Sequence, residues 1–315
     1  MRETIFQQHW WLDAVAPGRW HEARVTDSDG VVARLPYVTA TRFGLRTIGQ
    51  PPLCMTLGPW LRSSGTRGHR RHHCQTEWVR ELVAQLPPFD LFRQKLAPEF
   101  PTWLPFHWLD FEQTTRYTYR FERLDDLPAL RANFKPSLRS DLNRASRRLQ
   151  VVELTDIDTF YRTCEFSLKA MKAQRRALAA LPITARQFER LHAACLARQQ
   201  GVILAAVDET AYVHAVDFYV WDEHVMYGLL SGRNDHAMSG AAALLIWHAM
   251  QRAAQLGVTY DFGGSMMPSI AAFFQGFGPE PTPYSQITKT TWRHRSVQHI
   301  KNVIRTPTRL FGSRS

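Results

Sequence analysis

Residues 227–278 decide the fold, and they read YGLLSGRNDHAMSGAAALLIWHAMQRAAQLGVTYDFGGSMMPSIAAFFQGFG. The pattern predicts a strand, a glycine-containing loop, a helix, a second strand, a glycine-rich turn and an aromatic helix. A loop that leads into a helix N-terminus presents several unpaired backbone N–H groups toward one point. Such a point binds phosphate oxygens or an oxyanion. The second strand ends at Asp261, which brings a carboxylate close to the same point.

The residues before this stretch complete a recognisable order of elements. Hydrophobic periodicity predicts helices over residues 156–171 and 184–199. Alternation then predicts strands over residues 202–207, 211–221 and 224–230, as an antiparallel meander. With the loop, helix, strand and helix that follow, this is the order of the GNAT acyltransferase fold.

The first third of the chain indicates a small α/β domain. Asp29-Gly30 is a hairpin dipeptide between two strand-like segments, and residues 50–59 (QPPLCMTLGP) predict an irregular loop. Residues 76–86 have helical spacing, while residues 89–94 and 117–121 are strand-like.

The charge balance indicates an anionic partner. The 315 residues include 39 Lys and Arg against 28 Asp and Glu, for a net charge of +11. The basic residues are concentrated in residues 131–148 and after Glu280, where no acidic residue follows. Such a surface attracts nucleic acid, nucleotide cofactors or phospholipid headgroups, although charge alone does not choose among them and a solvated basic face is the simpler alternative.

No apolar run is long enough to span a bilayer, and the four cysteines have no CxxC spacing. We therefore expect a cytoplasmic protein without disulfides, with peripheral contact to the inner face of the membrane as an alternative. Residues 67–74 (RGHRRHHC) contain metal-ligand side chains. Because neighbouring arginines repel a cation and no carboxylate is present, we predict a basic loop and no metal site.

Three segments resemble one family of transferases. Residues 135–152 (KPSLRSDLNRASRRLQVV), 239–247 (SGAAALLIW) and 260–278 (YDFGGSMMPSIAAFFQGFG) are similar to the FemABX-like transferases, also described as BioF2-like acetyltransferases. The resemblance covers most of residues 127–288 and is more diffuse in the first third. The combination of DFGGS with FFQGFG is its most specific part.

The resemblance implies an α/β (α+β) fold of two tandem GNAT-like domains, with mixed, mainly antiparallel sheets flanked by helices. We place an N-terminal domain at residues 1–126, a domain with the main transferase motifs at 127–288, and a basic tail at 289–315 that packs back on the first domain or docks on a membrane. The resemblance also implies transfer of an acyl or aminoacyl group to an amine. No long heptad segment corresponds to the tRNA-engaging arm of some members.

Amide formation requires an uncharged amine, a stabilised oxyanion and a protonated leaving group, and no covalent intermediate. Asp217 and Asp261 are candidates to deprotonate or orient the amine, and Tyr227 and Ser231 to donate hydrogen bonds to the leaving group. Alternation along the strand places Asp217 on the same face as Tyr219. The simpler alternatives are a salt bridge from Asp217 to Arg233 and a turn-capping role for Asp261.

The donor and acceptor sites are predicted from the flanking motifs. Candidate residues for binding the donor phosphates are Arg233, Ser239, Gly240, Ala241, Arg139, Arg144, Arg147 and Arg148. Candidate residues for the acceptor pocket are Gly263, Gly264, Ser265, Phe273, Phe274 and Phe277, although core packing is the favoured interpretation of the three phenylalanines.

These observations favour an aminoacyl-tRNA-dependent transferase that acts on an amine of a peptide, an envelope precursor, a lipid-linked molecule or a natural product. We expect no tightly bound cofactor. An acyl-CoA-dependent N-acyltransferase is the first alternative. A non-catalytic GNAT-like module that binds RNA or anionic lipid is the second.

Overall fold

A computed structural model describes residues 1–63, 69–173, 181 and 183–296. The predictions made for the basic tail beyond residue 296 lie outside the described residues. So does part of the RGHRRHHC segment.

The first half of the chain consists of β-strands with helices between them. Its elements are a 3₁₀ turn Ile5–Gln7, α1 His9–Val15, β1 Trp20–Asp27, β2 Gly30–Arg42, β3 Leu45–Gly49, β4 Trp60–Leu61, α2 His69–Ala84, β5 Leu91–Lys95, α3 Leu104–His107 and β6 Glu112–Phe121. The predicted hairpin at Asp29-Gly30 is confirmed, because β1 and β2 pair antiparallel across it. The predicted basic loop before residue 76 is wrong, since α2 already begins at His69.

The second half follows the predicted order of elements. Its elements are α4 Leu127–Ala132, α5 Pro136–Ala145, β7 Gln150–Glu153, α6 Ile157–Ala173, α7 Ala185–Leu196, β8 Gly201–Val207, β9 Val213–Trp221, β10 Val225–Arg233, α8 Ala241–Leu256, β11 Thr259–Asp261, α9 Pro268–Gln275 and β12 Glu280–Thr290. Thr184 caps α7 through a capping box, as expected from its position.

The two halves share one sheet. Within the described residues it has 12 strands, in the order β1-β2-β3-β5-β12-β6-β11-β10-β9-β8-β7, with β4 paired to β2 at the side. Most pairs are antiparallel, as predicted, and the parallel pairs are β3 with β5 and β10 with β11. The two halves are connected through the antiparallel pair of β6 with β11 of the second half.

Three apolar cores cover the sheet. The α2 core of the first half includes Val79, Phe92 and Ile287. In the second half, the α8 core lies on the face covered by α5, α8 and α9, and the α6 core lies on the opposite face, covered by α1, α6 and α7. We call these two faces of the sheet the α8 face and the α6 face.

Both ends of the described chain cross to the other half. The N-terminal residues Phe6 and Trp11 are fully buried in the α6 core, beside α6 and α7 of the second half. The last strand, β12, inserts between β5 and β6 of the first half. The domain limits at residues 126 and 288 stay a prediction, but neither half is built from one continuous segment of chain.

Candidate functional site

An opening in the sheet lies between β10 and β11. The two strands pair in parallel only from Val225 with Thr259 to Tyr227 with Asp261. Gly263 remains close to β10, since a Cβ atom on it would lie 2.2 Å from the carbonyl oxygen of Gly228. Beyond this contact, residues 229–233 pair only with β9 among the described strands. Their backbone groups on the β11 side therefore face the opening.

A β-bulge lies at the edge of this opening. The register of β10 against β9 shifts between Gly228, which is opposite Tyr219, and Leu230, which is opposite Phe218. Leu229 is the extra residue, and the extra residue of a bulge is left unpaired in the ladder. The backbone groups of Leu229 therefore have no ladder partner on β9 at the point where β10 and β11 part.

The two predicted catalytic carboxylates lie on opposite faces of the sheet. Asp217 is directly opposite Ser231 and shares the α8 face with Tyr219. Asp261 is opposite Tyr227, whose ring packs on Phe6 in the α6 core. The structure therefore brings Asp217 and Ser231 together but does not place Asp261 or Tyr227 beside them. Alternation along β9 predicts the face of Asp217. The face of Asp261 depends instead on the pairing of β11 with β10, which the sequence does not reveal.

Asp217 belongs to a buried chain of hydroxyl groups. Its Oδ2 accepts a hydrogen bond of 2.7 Å from the Tyr219 hydroxyl, which also hydrogen-bonds with Tyr260. The hydroxyl of Tyr260 would lie 3.7 Å from a Cβ atom on Gly228. This chain links the carboxyl group to the opening. Sequence reasoning did not single out Tyr219 or Tyr260 as site residues, although alternation along β9 places Tyr219 on the face of Asp217.

Burial raises the pKa of Asp217 to about 7, and the hydrogen bond from Tyr219 opposes this shift only in part. The side chain of Asp217 is 6% exposed and has no salt bridge within the described part of the chain. The predicted alternative of a salt bridge to Arg233 is therefore wrong. A carboxyl group that titrates near neutral pH is able to accept and return a proton at physiological pH.

Asp261 is fully engaged in structural contacts. Its Oδ2 accepts a hydrogen bond of 2.6 Å from Arg120 Nε, and its Oδ1 accepts from the Thr118 hydroxyl and, at 2.9 Å, from the Gly263 N–H. The turn-capping alternative is thus confirmed. Burial alone would lower the pKa of Arg120, because it disfavours the charged guanidinium. The carboxylates of Asp261 and Glu99 outweigh this effect and raise the pKa above its usual value. Nothing in the sequence pointed to Arg120, which is 141 positions away from its partner.

The loop before α8 is held tightly against α5. Gly240 is the N-cap of α8 with φ of 92°, and a Cβ atom there would lie 2.3 Å from the carbonyl oxygen of Asp141. The Ser239 hydroxyl donates a 2.8 Å hydrogen bond to Asp141 Oδ2, and Arg144 pairs with the same carboxylate. The first turn of α8, beginning at the buried Ala241, is therefore flanked by the basic helix α5.

His214 fixes the other side of this loop. Its Nδ1 accepts a 3.0 Å hydrogen bond from the Met238 N–H, and its backbone oxygen accepts one from the Asn234 N–H. The other ring nitrogen, Nε2, lies 3.2 Å from Asp208 Oδ2. Because Nδ1 acts as an acceptor, Nε2 carries the ring proton in this arrangement. His214 is therefore hydrogen-bonded through both ring nitrogens and holds the loop in place.

The predicted arginine cluster divides into two groups. Arg144, Arg147 and Arg148 line one groove together with Ser140 and Asn143. Arg147 and Arg148 make no ion pair with any described residue, so their charges are available to a ligand. A neighbouring groove contains Arg139, Arg131 and Trp247, and Arg139 there donates to the carbonyl oxygen of Ala132. Arg233 is exposed on the α8 face, near the loop that follows it.

Comparisons with known proteins agree with this geometry. Residues 133–273 match a family model described as an acetyltransferase (GNAT) domain. Over 94% of both chains, the structure resembles a crystal structure of FemX, with a TM-score of 0.62 and 12% identity. It also resembles the C-terminal domain of an Agrobacterium fabrum protein described as a lysylphosphatidylglycerol synthetase, with a TM-score of 0.56 and 13% identity over 95% of this chain and 94% of that one.

A third similar structure is a tandem GNAT protein from the clavulanic acid biosynthesis pathway, with a TM-score of 0.50 and 12% identity over 89% of this chain and 86% of that one. The search of curated proteins found no match. At these identities the likeness concerns the fold. The chain has a FemABX-like double GNAT fold.

In the GNAT domain, the predicted acceptor residues have two different roles. Phe277 is 1% exposed, and its ring packs on Phe273 and Phe262 within the α8 core. Phe274 packs against the same core, so the favoured core interpretation of this aromatic patch agrees with the structure. Ser265 accepts a hydrogen bond from the Met267 N–H at the start of α9.

Gly263 and Gly264 instead shape the opening of the GNAT domain. A Cβ atom on Gly264 would lie 2.7 Å from the carbonyl oxygen of Tyr117, on the neighbouring strand β6. Both glycines have positive φ, of 86° and 63°. The turn is therefore held between β6 and β10 and forms one wall of the opening.

Two further predictions concern metals and membranes. Within the described ranges, no group of three or more His, Cys, Asp or Glu side chains is placed to hold a metal ion. None of the described helices is both long and apolar enough to cross a bilayer.

Proposed function

We propose that this protein transfers an aminoacyl group from aminoacyl-tRNA to the amine of an acceptor, forming an amide bond. The observation that carries the proposal is the position of α5 beside the N-terminus of α8. Helix α5 contacts this N-terminus through Asp141, whose carboxylate accepts a hydrogen bond from Ser239 and pairs with Arg144. Arg144 lines one groove together with Arg147 and Arg148. Arginine forks bind phosphate oxygens in pairs, and a helix N-terminus favours the same charge.

A donor held at this loop places its acyl group at the opening between β10 and β11. The acceptor nitrogen then attacks the acyl carbon, a C–N bond forms, and the C–O bond to the terminal ribose breaks. Asp217 takes the proton that the nitrogen loses, through the hydroxyls of Tyr219 and Tyr260, and returns it by the same route to the oxygen of the leaving ribose. The unpaired N–H at the Leu229 bulge stabilises the oxyanion, and Ser231 supplies a hydrogen bond to the leaving oxygen.

The net charge of +11 supports a large anionic donor over a small one. A nucleic-acid donor contacts several phosphates at once, so its binding should weaken steeply as salt rises. We expect Arg147 and Arg148, which form no ion pair with a described residue, to contribute most to this dependence of donor binding on salt concentration.

The proposal is tested by incubating the protein with total tRNA charged with labelled amino acids, and with hydroxylamine as a small uncharged acceptor. We expect hydroxamate to form faster than without protein. Arg147→Gln combined with Arg148→Gln should raise the donor KM by about tenfold or more and flatten its salt dependence. The control is Arg162→Gln, since Arg162 is exposed on α6 and is only weakly paired with Asp158. Hydroxamate formation at the protein-free rate for every charged tRNA would refute the proposal.

An acyl-CoA-dependent N-acyltransferase is the second candidate, and the description of the matched family model as an acetyltransferase domain favours it. Acetyl-CoA offers a pyrophosphate to the same loop and a thioester to the same opening. The same assay with acetyl-CoA separates the candidates, because thiol release without any transfer from charged tRNA would establish this alternative.

A further inference from the structure

Two cations lie on the α6 face of the central strands, away from the donor loop. Lys95 on β5 is directly opposite Gln286 on β12, and Arg116 on β6 is directly opposite Tyr284 on β12. Gln286 and Tyr284 are two residues apart on one strand, so all four side chains share a face of the sheet. The two cationic side chains therefore flank Tyr284 from either side.

Neither cation has a carboxylate partner within the described residues. The Nε atom of Arg116 is buried and has no hydrogen-bond partner, which is costly for a charged donor. Lys95 is half-buried and forms no ion pair in the same part of the chain. Burial lowers the pKa of Lys95, and the charge of Arg116 lowers it further. The contrast is Arg120 on the same face, whose charge is satisfied by both Asp261 and Glu99.

The surroundings form a built site and not a solvated surface. The loop at residues 50–59 crosses Lys95, because Gln50 Oε1 accepts a 2.9 Å hydrogen bond from its N–H and Leu57 donates a 2.8 Å hydrogen bond to its backbone oxygen. Tyr284 lies on the strand between the two cations, and its hydroxyl is hydrogen-bonded to Arg116. One anionic group would neutralise these two partly buried positive charges and accept a hydrogen bond from the Nε of Arg116.

This site lies at a fixed distance from the opening. Gly264, at the wall of the opening, contacts Tyr117 and Thr118, the two residues that follow Arg116 on β6. Strands β11 and β12 are two strand spacings apart, because β6 lies between them, and Tyr284 is on β12. Each spacing is about 4.8 Å, so Tyr284 is roughly 10 Å from the opening beside β11.

We propose that Lys95 and Arg116 bind a carboxylate or phosphate of the acceptor substrate, roughly 10 Å from its nucleophilic amine. This inference rests on the proposed transferase function and adds the class of acceptor. A free α-amino acid does not qualify, because its amine and carboxylate are separated by a single carbon. An extended peptide of about three residues does, since each residue spans at most about 3.3–3.6 Å.

The test uses oligoglycines of one to six residues as acceptors, each as the free acid and as the C-terminal amide. We expect the acid to be preferred over the amide in kcat/KM by about tenfold or more near three or four residues, and by little at one residue. A second pair, Gly-Gly-phosphoserine amide against Gly-Gly-Ser amide, distinguishes phosphate from carboxylate as the preferred anion. Preference for either anion supports the proposal, and equal rates for all acids and amides overturn it.

We expect the variants Arg116→Gln and Lys95→Met to remove the preference for the acid, measured as the ratio of kcat/KM for the acid to kcat/KM for the amide. Arg80→Gln, an exposed substitution on α2, should leave the preference intact. Rapid transfer to hydroxylamine without any discrimination between acids and amides would reject the acceptor site and keep the proposed function. Absence of transfer to hydroxylamine would reject the function itself. In that case, binding of the acid but not the amide of triglycine, measured by calorimetry, still decides whether the site exists.

Discussion

At the residue scale, burial of the Asp217 carboxyl group lowers the free energy of unfolding at neutral pH, because the charged form is disfavoured in the folded protein. Its pKa is 3.8 in an exposed chain and about 7 in the folded protein, because burial disfavours the charged form. The folded state therefore holds the proton to a higher pH than the unfolded state does. It follows that the free energy of unfolding decreases as the pH rises from about 4 to about 7, and that the loss is complete above this window.

Replacing the carboxyl group by an amide should remove this dependence. We expect Asp217→Asn to match the wild-type free energy of unfolding near about pH 4 and to exceed it by about 2–4 kcal/mol near about pH 8, measured by denaturant unfolding. Its transferase rate should fall by about 10²–10⁴-fold, because the proton acceptor is lost. The matched control is Asp158→Asn, an exposed carboxylate on α6, which should change neither quantity. An Asp217→Asn variant that loses stability at high pH would contradict the assigned pKa and its cause.

The same scale separates what the sequence predicts about the site from what it does not. The face of Asp217 follows from alternation along one strand, and the capping role of Asp261 follows from the two glycines after it. The ion pair of Asp261 with Arg120 does not follow, since it depends on the pairing of β6 with β11. The proximity of Lys95 and Arg116 is equally hidden in the sequence, because the strand that lies between them, β12, comes from a distant part of the chain.

At the element scale, the N-terminus of α8 is fixed by a single glycine. Gly240 combines a left-handed backbone with a contact to Asp141 that leaves no space for a Cβ atom. A substitution there has to push α5 away from the loop or distort the first turn of α8. In either case the backbone N–H groups at the start of α8 are displaced, which should impair the proposed donor binding.

We therefore expect Gly240→Ala to raise the donor KM more than tenfold and to lower the free energy of unfolding by about 2 kcal/mol or more. Gly257→Ala at the other end of α8 is the matched control. It also has positive φ, of 67°, but a Cβ atom there meets nothing within 4 Å, so only the backbone strain remains. Equal donor KM values for the two variants, in steady-state kinetics, would show that the contact with α5 does not position the loop.

The helices differ in how well the sequence predicts them, for a physical reason. The sequence predicts the helix that is observed as α8, because small residues lead into it, Gly257 marks its end and apolar periodicity fills its interior. The start of α2 was missed because His69, His72 and His73 give no apolar stripe, so its first turns resemble a solvated loop. Local signals predict an element well only when caps and periodicity agree.

At the scale of the whole molecule, the chain exchanges its ends between two halves. The sequence predicts two similar domains in tandem, and their element order is correct. It does not predict that α1 packs in the core of the second half or that β12 completes the sheet of the first half. Such contacts join residues more than 150 positions apart, for which local patterns carry no signal. The two halves consequently share both a sheet and a core.

This shared architecture predicts that the halves unfold together. Phe6 is fully buried, and its ring centroid lies 4.8 Å from that of Tyr227, although the two residues belong to different halves of the chain. We expect Phe6→Ala to lower the free energy of unfolding by about 3–5 kcal/mol and to move one single transition, followed by both circular dichroism and tryptophan fluorescence. Phe166→Ala on α6, where the ring is 41% exposed, should cost much less. Two separate transitions, with only one displaced by Phe6→Ala, would mean that the continuous sheet does not couple the halves.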